Sequence, residues 1–318
     1  MFPIIPAASA AVAGNSNGIF FGGKDVGTTT MAISNTVSNT GILQSDTAAV
    51  AGVTAQTQKA GCEYGEDKGI HFGGLNNTTN PISITNLTSN LGIMVADTTG
   101  VAGVTARRQL YGCDFGGDKG IFGFGDASGP PFVGMSNIVS NAGIVASDVA
   151  AVGSAREELA ACEYSGDKDK GIFGFGLQAT EGDPPTYSYD PITNLVSNLG
   201  VIASDTASVA GVTGRTAVAG CSYGGDKGII GFGGNYLGLT NLISSAGVVS
   251  ADTAAVGTGK KYLTACEYGG DKGIFSFGRI SGGGLTDATN QVSNTGVVQS
   301  DVTGVGTARY ESSGCSWG

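Results

Sequence analysis

The chain has 318 residues and a formal charge of −10 at pH 7 with no run of lysine or arginine, which disfavours nucleic acid and anionic membranes as partners. Charged residues make up 13% of the chain, about half of the usual quarter, and this favours a chain with much of its surface either buried or covered by partners. Glycine contributes 56 residues, which predicts many tight turns, and no apolar run approaches the roughly 20 residues of a membrane-spanning helix.

The amino-terminal stretch, "MFPIIPAASAAVAG", stands outside the pattern of the rest of the chain. It contains two prolines and lacks a basic start, so it does not resemble a secretory signal peptide. We expect residues Met1 to Gly14 to form an arm. A single repetitive domain is predicted for residues 15–318.

One phrase then recurs six times, and the copies are numbered here from 1 to 6 by the glycine of a Gly-Ile pair. A second phrase, such as "TNLVSNLGVIASD", keeps a constant distance from its glycine to its aspartate in all six copies. The copies are about fifty residues long, which is typical of propeller blades. The glycines that open the copies are Gly18, Gly69, Gly120, Gly171, Gly228 and Gly273.

Each copy contains four short apolar runs separated by turn residues, and their alternation fits strands rather than helices. Examples are "TAVAGCSY" (Thr216 to Tyr223), "GIIGFG" (Gly228 to Gly233), "TNLVSN" (Thr193 to Asn198) and "GVIASD" (Gly200 to Asp205). The segment "GGDKG" supplies glycine and aspartate for a hairpin between the first two runs. Four antiparallel strands in each of six copies predict an all-β fold, a single six-bladed β-propeller.

The two ends of the chain complement each other. The repetitive region ends with "ARYESSGCSWG" (Ala308 to Gly318), the first strand of a copy, and begins with "NSNGIFFGG" (Asn15 to Gly23), the second strand of a copy. We expect these strands to pair, because ring closure removes exposed sheet edges. The segment "SAAVAG" (Ser9 to Gly14) is a competitor for that place, but it lacks the cysteine and aromatic residue of the other first strands.

These motifs resemble two groups of repeat proteins. An arginine before the first strand, a lysine turn and an aliphatic-aromatic strand ending in Gly-Gly, as at Gly233-Gly234 and Gly73-Gly74, are similar to kelch repeats, although the outer-strand tryptophan of kelch blades is absent. The motif "TNLVSN" together with "FGGDKGIFGFG" (Phe115 to Gly125) resembles motifs of propeller proteins of tailed bacteriophages. This resemblance implies a virion or tail component with a structural or attachment role.

Six cysteines occupy equivalent positions on the predicted first strands, and an aromatic residue follows two positions later in each copy. We interpret the cysteines as buried free thiols around the ring axis, because equivalent positions on separate blades rarely meet disulfide geometry and no Cys-x-x-Cys metal motif is present. The aromatics are expected to pack between blades. The cysteines are Cys62, Cys113, Cys162, Cys221, Cys266 and Cys315, and the aromatics are Tyr64, Phe115, Tyr164, Tyr223, Tyr268 and Trp317.

Two sets of aspartates are candidate calcium ligands. Each aspartate stands nearly alone in its loop, however, and calcium needs several converging oxygen ligands. We interpret them as turn-forming residues that bond their own backbone. The first set ends the second phrase and comprises Asp46, Asp97, Asp148, Asp205, Asp252 and Asp301. The second set lies in the Asp-Lys turns between the first and second apolar runs, called lysine turns here, and comprises Asp67, Asp118, Asp226 and Asp271.

Arginine precedes four of the first strands, while Gln56 and Lys260 replace it in two copies, which predicts tolerance at this position rather than an essential ring of charge. The four are Arg107, Arg156, Arg215 and Arg309. His71, the single histidine, stands where other copies have a strand aromatic, and we interpret it as a packing residue. Neither a Ser-His-Asp nor a Cys-His arrangement is expected around it.

Two connections between second and third strands are longer than the others, "LQATEGDPPTYSYDP" (Leu177 to Pro191) and "DASGPPFVG" (Asp126 to Gly134). Insertions in repeat arrays collect on one face, which is often the binding face. Prolines and tyrosines are rigid contact residues of the kind found at interfaces. The predicted binding residues are Pro184, Pro185, Tyr187 and Tyr189.

The sequence thus predicts a non-enzymatic structural component of a tailed-phage virion, assembled in the host cytoplasm and docked to other virion proteins in a symmetric multi-copy assembly. A propeller that binds a host receptor or surface glycan is the alternative, and an enzyme that processes glycans or oxidises a substrate is the third hypothesis. No catalytic residue, metal or cofactor is predicted. Fold by itself does not distinguish these functions.

Overall fold

The computed structural model describes residues 17–318 except 78, 101, 151, 167, 183 and 255. The fold is all-β and consists of several small antiparallel sheets. No α-helix occurs among the described residues, and the one short helical turn is a 3-10 turn at Ser281–Gly283. No helix in this part of the chain has the length and apolar character needed to cross a membrane.

The strands are short, and most have four or five residues. In the first half of the chain they are β1 (Asn17–Phe21), β2 (Ile33–Val37), β3 (Thr47–Ala48), β4 (Ala60–Tyr64), β5 (Lys68–Phe72), β6 (Thr85–Thr88), β7 (Tyr111–Phe115), β8 (Lys119–Gly123), β9 (Ser136–Val139), β10 (Ala160–Glu163), β11 (Gly171–Gly174), β12 (Gln178–Ala179) and β13 (Tyr187–Ser188). In the second half they are β14 (Thr193–Val196), β15 (Ala219–Tyr223), β16 (Lys227–Gly231), β17 (Leu239–Ile243), β18 (Thr253–Ala254), β19 (Lys260–Lys261), β20 (Thr264–Tyr268), β21 (Lys272–Ser276), β22 (Arg279–Ile280), β23 (Thr289–Val292) and β24 (Ser313–Trp317).

Each copy builds one sheet from three main strands in the same order. A cysteine strand pairs with a glycine strand that carries the Gly-Ile pair, and this pairs with an asparagine strand that carries a buried asparagine. The glycine strand lies between its two partners and is almost completely buried. The cysteine, glycine and asparagine strands of copies 1 to 6 are β24-β1-β2, β4-β5-β6, β7-β8-β9, β10-β11-β14, β15-β16-β17 and β20-β21-β23.

The predicted fourth strand is mostly absent as a regular element. Two-residue strands, β3 and β18, stand at the outer edge of copies 1 and 5, and the other four copies have only isolated bridges such as Thr85 with Thr98. The predicted example, Gly200 to Asp205, bridges the asparagine strand at Ile202 with Val196, and the next residue, Thr206, bridges Thr193. Between the two bridges the asparagine strand advances by three residues and this segment by four, so one extra residue interrupts the ladder as in a β-bulge.

The predicted pairing of the chain ends is confirmed. β24 pairs antiparallel with β1 along five residues, from Asn17 opposite Trp317 to Phe21 opposite Ser313. The last strand of the chain therefore completes the sheet of copy 1. The predicted arm, Met1 to Gly14, and the competing segment within it lie outside the described residues.

The cysteine strands pack against one another in a cycle that returns to its start. β4 contacts β7, β7 contacts β10, and the series continues through β15, β20 and β24 back to β4. At every step the sulfur of one copy occupies the space that a Cβ on the glycine of the next copy would fill. The pairs are Cys315 with Gly69, Cys62 with Gly120, Cys113 with Gly171, Cys162 with Gly228, Cys221 with Gly273 and Cys266 with Gly18.

A cycle of backbone hydrogen bonds also links the six copies. Each donor N–H binds the carbonyl of the equivalent residue in the preceding copy, over 2.9–3.2 Å. The residues adopt positive φ angles between 51° and 57°, a conformation that is uncommon for residues other than glycine. The six residues, each bonded to the one before it, are Gln58, Gln109, Glu158, Ala217, Tyr262 and Glu311.

The strand directions define two opposite ends of each sheet. Lysine turns such as Gly116 to Lys119 join cysteine to glycine strands at one end, which we call the turn face. The connections after the glycine strands, including residues 126–134 and 177–191, lie at the other end, the loop face. The hairpin turns that follow the asparagine strands lie at the turn face.

Candidate functional site

The two long connections meet in a pocket on the loop face at the junction of copies 3 and 4. Its base contains two neighbouring backbone bridges, Arg108 with Asp126 and Glu157 with Leu177. The pocket has a volume of about 360 Å³, large enough for a sugar-sized ligand. Its lining is Arg108, Asp126, Gly129, Pro130, Phe132, Glu157, Leu177, Tyr187 and Tyr189.

The structure brings two of the four predicted binding residues to this pocket. Tyr187 and Tyr189 line it and remain about half exposed, at 51% and 52%. Tyr187 is held by the small hairpin of β12 and β13, in which it lies opposite Ala179. Pro184 and Pro185 lie at the tip of that hairpin and are not part of the lining.

An ion pair holds one side of the pocket. The guanidinium of Arg108 donates to Asp126 Oδ2 through Nε at 2.8 Å and approaches the same oxygen through Nη2 at 2.7 Å. The other carboxylate oxygen of Asp126 accepts from the backbone N–H groups of Ser128 and Gly129, which shapes the first long connection. Both groups therefore have partners within the protein.

Glu157 is the unusual polar group of the pocket, and sequence reasoning missed it. Its side chain is buried with 7% exposed, and its Oε2 atom has no hydrogen-bond partner among the described residues. Burial raises the pKa of this carboxyl to about 8, with further contributions from Glu158 and Asp126 and opposition from Arg108. The signal was present in "AREELA", where two adjacent glutamates directly precede the apolar start of a cysteine strand.

The central channel is a second polar region, lined by all six cysteine strands and enclosing about 50 Å³. The residue after each cysteine faces it, which places four carboxylates and two hydroxyls there. One ammonium group, that of Lys168, lies 3.3 Å from Glu63 Oε2, and it comes from a lysine turn that is two residues longer in copy 4. The channel residues are Glu63, Asp114, Glu163, Ser222, Glu267 and Ser316.

Burial alters the protonation of this channel. It raises the pKa of Glu163 well above its ordinary value and that of Glu267 to about 7. The four carboxylates in turn raise the pKa of Lys168, against the effect of its own burial. No group of three or more metal-ligating side chains with suitable geometry occurs within the described ranges.

Among the described residues, the aspartates of the second phrase accept hydrogen bonds from distant loops and not from their own turns, so the turn-forming interpretation is not supported. Asp148 accepts hydrogen bonds from the hydroxyl and N–H of Thr105, 43 residues earlier, and from Asn137. These bonds lower its pKa although burial acts to raise it. The same pairing recurs as Thr54 with Asp97, Ser154 with Asp205, Thr213 with Asp252, Thr258 with Asp301 and Thr307 with Asp46.

The aspartates of the lysine turns hold neighbouring turns together on the turn face. Asp118 contacts Lys119 and accepts a hydrogen bond from Asn141 at 3.0 Å, which ties the lysine turn to the hairpin turn of the same copy. Asp67 and Asp271 repeat this arrangement with Asn90 and Asn294. These residues are structural in the described part of the chain.

The arginines before the cysteine strands are buried and belong to a cation layer between copies. Arg156 donates to Asn194 at 2.6 Å and lies over the ring of Phe124 in the preceding copy, 4.1 Å from its centroid. The predicted tolerance did not take into account that a lysine replaces the missing arginine in both exceptional copies. In copy 6 Lys260 lies over the ring of Phe232. In copy 2, where Gln56 stands in place of arginine, Lys59 binds the buried asparagine at 2.7 Å. Every copy therefore retains a basic side chain in this layer, although burial lowers the pKa of Lys59 to about 7.

The six cysteines are free and buried, and burial raises their pKa values, as expected for inert thiols. The companion aromatics pack between copies as predicted, each against the hairpin-turn glycine of the next copy. Tyr64 contacts Gly143 and Trp317 contacts Gly92, for example.

His71 is completely buried and packs against Phe21, which agrees with a packing role. The expectation that no cysteine accompanies it is wrong, because Cys315 Sγ lies 3.5 Å from its Nε2 and Ser313 Oγ lies 2.7 Å from its Nδ1. Chain closure creates this group from residues 242 and 244 positions apart. Burial lowers the pKa of His71 to about 3 and raises that of Cys315 well above its ordinary value, so neither is activated.

No known protein family model matches the chain, and no curated protein matches it. Function therefore has to be argued from the geometry of the described residues.

Proposed function

We propose that the chain is a six-bladed, kelch-like β-propeller that serves as a non-enzymatic component of a tailed-phage virion. It docks there to other virion proteins in a symmetric multi-copy assembly. The blade arrangement is supported by the two cycles between copies, the cysteine–glycine contacts and the backbone hydrogen bonds, and by the pairing of β24 with β1. The resemblance of the repeat motifs to kelch repeats is a further argument for this arrangement.

A repeated set of exposed aliphatic side chains on the turn face carries the docking proposal. One residue follows the hairpin glycine in each copy, and all six are between 53% and 60% exposed. Scattered apolar residues are common on protein surfaces, but the same exposed position in every copy favours a surface made for contact. This turn-face belt consists of Ile42, Ile93, Ile144, Val201, Val248 and Val297.

The belt suits docking because its removal from water yields binding energy without loss of internal contacts. Burial of apolar area contributes roughly 25 cal/mol per Å², so six repeated side chains provide a substantial driving force. The backbone N–H of Ile144 donates a hydrogen bond to Ser140 Oγ, which keeps one such turn rigid, and the N–H of Val201 does the same with Ser197 Oγ. A preformed surface loses little conformational entropy on binding.

Incorporation into particles tests this function. Purified particles should contain the chain in a fixed stoichiometry by mass spectrometry, and the double variant Ile144→Asp, Val201→Asp should be depleted from them. Asn77→Asp, an exposed residue of a loop-face connection, is the matched control and should be incorporated normally. Absence of the chain from particles, or equal incorporation of both variants, would contradict the proposal. The melting temperatures of the variants establish that each is folded.

A glycan-binding or receptor-binding propeller is the second candidate, and the pocket of copies 3 and 4 favours it. Half-exposed tyrosines beside hydrogen-bonding groups are typical of a small-molecule site. The full-length protein should bind host cells, and Tyr189→Ala should reduce that binding about tenfold, whereas Tyr236→Ala, outside the pocket, should not. Host-cell binding that is equal in both variants would exclude this pocket.

A further inference from the structure

The pocket of copies 3 and 4 contains one polar group that the protein leaves unsatisfied. Arg108 and Asp126 neutralise each other, and Asp126 is further occupied by two backbone N–H groups. The carboxyl of Glu157 borders the same space with 93% of its residue surface buried and Oε2 unpartnered among the described residues. A buried polar group without a partner is costly, at roughly 1–3 kcal/mol, so a ligand that supplies a donor gains that energy.

A cationic donor fits this group best. The carboxyl of Glu157 and the ion pair give the pocket a net negative charge when Glu157 is ionised, while the arginine that would attract an anion is already bound to Asp126. Charge-assisted hydrogen bonds are about twice as strong as neutral ones. The walls add Tyr187, Tyr189 and Phe132, whose rings offer flat apolar faces to a sugar ring and attract a cation.

We propose that this pocket binds a glycan residue carrying a free amino group, with Glu157 accepting from the ammonium and Tyr187 and Tyr189 contacting the sugar ring. The inference rests on the second candidate function and names its ligand class, a hexosamine that is not N-acetylated. Phe132, 6% exposed, closes the inner wall of the pocket. No covalent step is involved.

Binding should be coupled to proton release. The groups acting on Glu157 are Glu158, Asp126, Arg108 and Glu311, and with burial they place its pKa at about 8. At pH 6.5 the carboxyl is therefore mostly protonated, and an arriving ammonium group favours its ionised form. Affinity for the amino sugar should then rise as the pH increases from about 6 towards 7.5, provided that the sugar amine remains protonated.

Titration calorimetry on the full chain tests the inference with three probes of equal length: an oligosaccharide of glucosamine, one of N-acetylglucosamine and one of glucose. We expect the glucosamine probe to bind best, with proton release in buffers of different ionisation enthalpy. Glu157→Gln should weaken its binding about tenfold or more while retaining the shape of the side chain. Glu181→Gln, an exposed glutamate of the same long connection, is the matched control and should bind as the unmodified chain does.

The possible outcomes distinguish failure of the amino-sugar inference from failure of the proposed glycan-binding function. Equal binding of all three probes, with no effect of Glu157→Gln, overturns the amino-sugar inference but leaves a glycan-binding pocket if Tyr189→Ala still weakens binding. Failure of every probe, together with host-cell binding that Tyr189→Ala does not alter, overturns both. Equal melting temperatures for Glu157→Gln and the unmodified chain establish that a lost signal reflects binding.

Discussion

Around the central channel all six copies place cysteine and glycine at matching positions, whereas at the pocket copies 3 and 4 place residues that no other copy has. The positions equivalent to Arg108 and Glu157 are threonine in copies 2 and 5, Lys261 in copy 6 and Tyr310 in copy 1. Repeated positions thus close the cycle of sheets. Unique positions supply the side chains of the proposed ligand pocket.

A large effect on stability is expected where the copies are most alike. Gly120→Ala places a methyl group against Cys62 Sγ and the carbonyl of Glu63, and overpacking of a buried contact destabilises by about 1–3 kcal/mol or more. Denaturant unfolding measures it. Gly166→Ala, at an exposed turn where the added Cβ would meet only Asp226 Cβ at 3.9 Å among the described residues, should change the free energy of unfolding by less than about 0.5 kcal/mol. Cys62→Ala should partly rescue Gly120→Ala, and a lack of rescue would contradict this contact.

The contribution of the cation layer to the free energy of unfolding should differ between copies. Arg156→Ala removes hydrogen bonds to Phe175 O, Ser154 O and Asn194 Oδ1, leaving buried acceptors unpaired at a cost of about 3 kcal/mol. Arg309 lacks partners at Nε and Nη2 in the described part of the chain, and Arg309→Ala should therefore cost less. Chemical denaturation of both variants gives the comparison. Equal losses would indicate that ring stacking, common to both, dominates.

The central channel should make stability depend on pH. Burial raises the pKa of Glu267 to about 7, opposed by Lys168 and assisted by Asp114 and Asp271. Between about pH 4.5 and 7 the folded chain holds a proton that the unfolded chain has released, so the free energy of unfolding falls as pH rises. Glu267→Gln should flatten this slope by about 2 kcal/mol over the window, measured by unfolding at several pH values. An unchanged slope in Glu267→Gln, with Glu181→Gln as control, would contradict the assignment.

The smallest effect on stability is expected at the pocket wall. Tyr187→Ala removes a half-exposed side chain from a two-residue strand, and the free energy of unfolding should change by about 0.5 kcal/mol or less. Phe132→Ala, on the inner wall and 6% exposed, should cost about 3 kcal/mol in the same measurement. A large loss in Tyr187→Ala would mean that the pocket supports the fold and is not specialised for a ligand.

Much of the all-β architecture was predictable because it follows from local patterns. Alternating runs around "GGDKG" placed the first three strands of each copy, and matching terminal phrases predicted the pairing of β24 with β1. The fourth strand was predicted only in part, because one extra residue between its two bridges to the asparagine strand interrupts the ladder, and the alternating pattern does not reveal that residue. Lys59 was missed as a substitute cation because it stands three residues from Gln56.

By itself the sequence determined the repeat, the strand positions in each copy, the burial of the cysteines and the two long connections that carry Tyr187 and Tyr189. Only the tertiary structure decided that Glu157 shares a pocket with those tyrosines, that Lys168 reaches Glu63 from a copy two places away, and that His71 meets Cys315. The physical reason is the distance along the chain between the groups that determine each feature. Strand patterns and turns depend on neighbours in sequence, whereas burial, pKa and the absence of a hydrogen-bond partner depend on groups brought together only when the sheets pack.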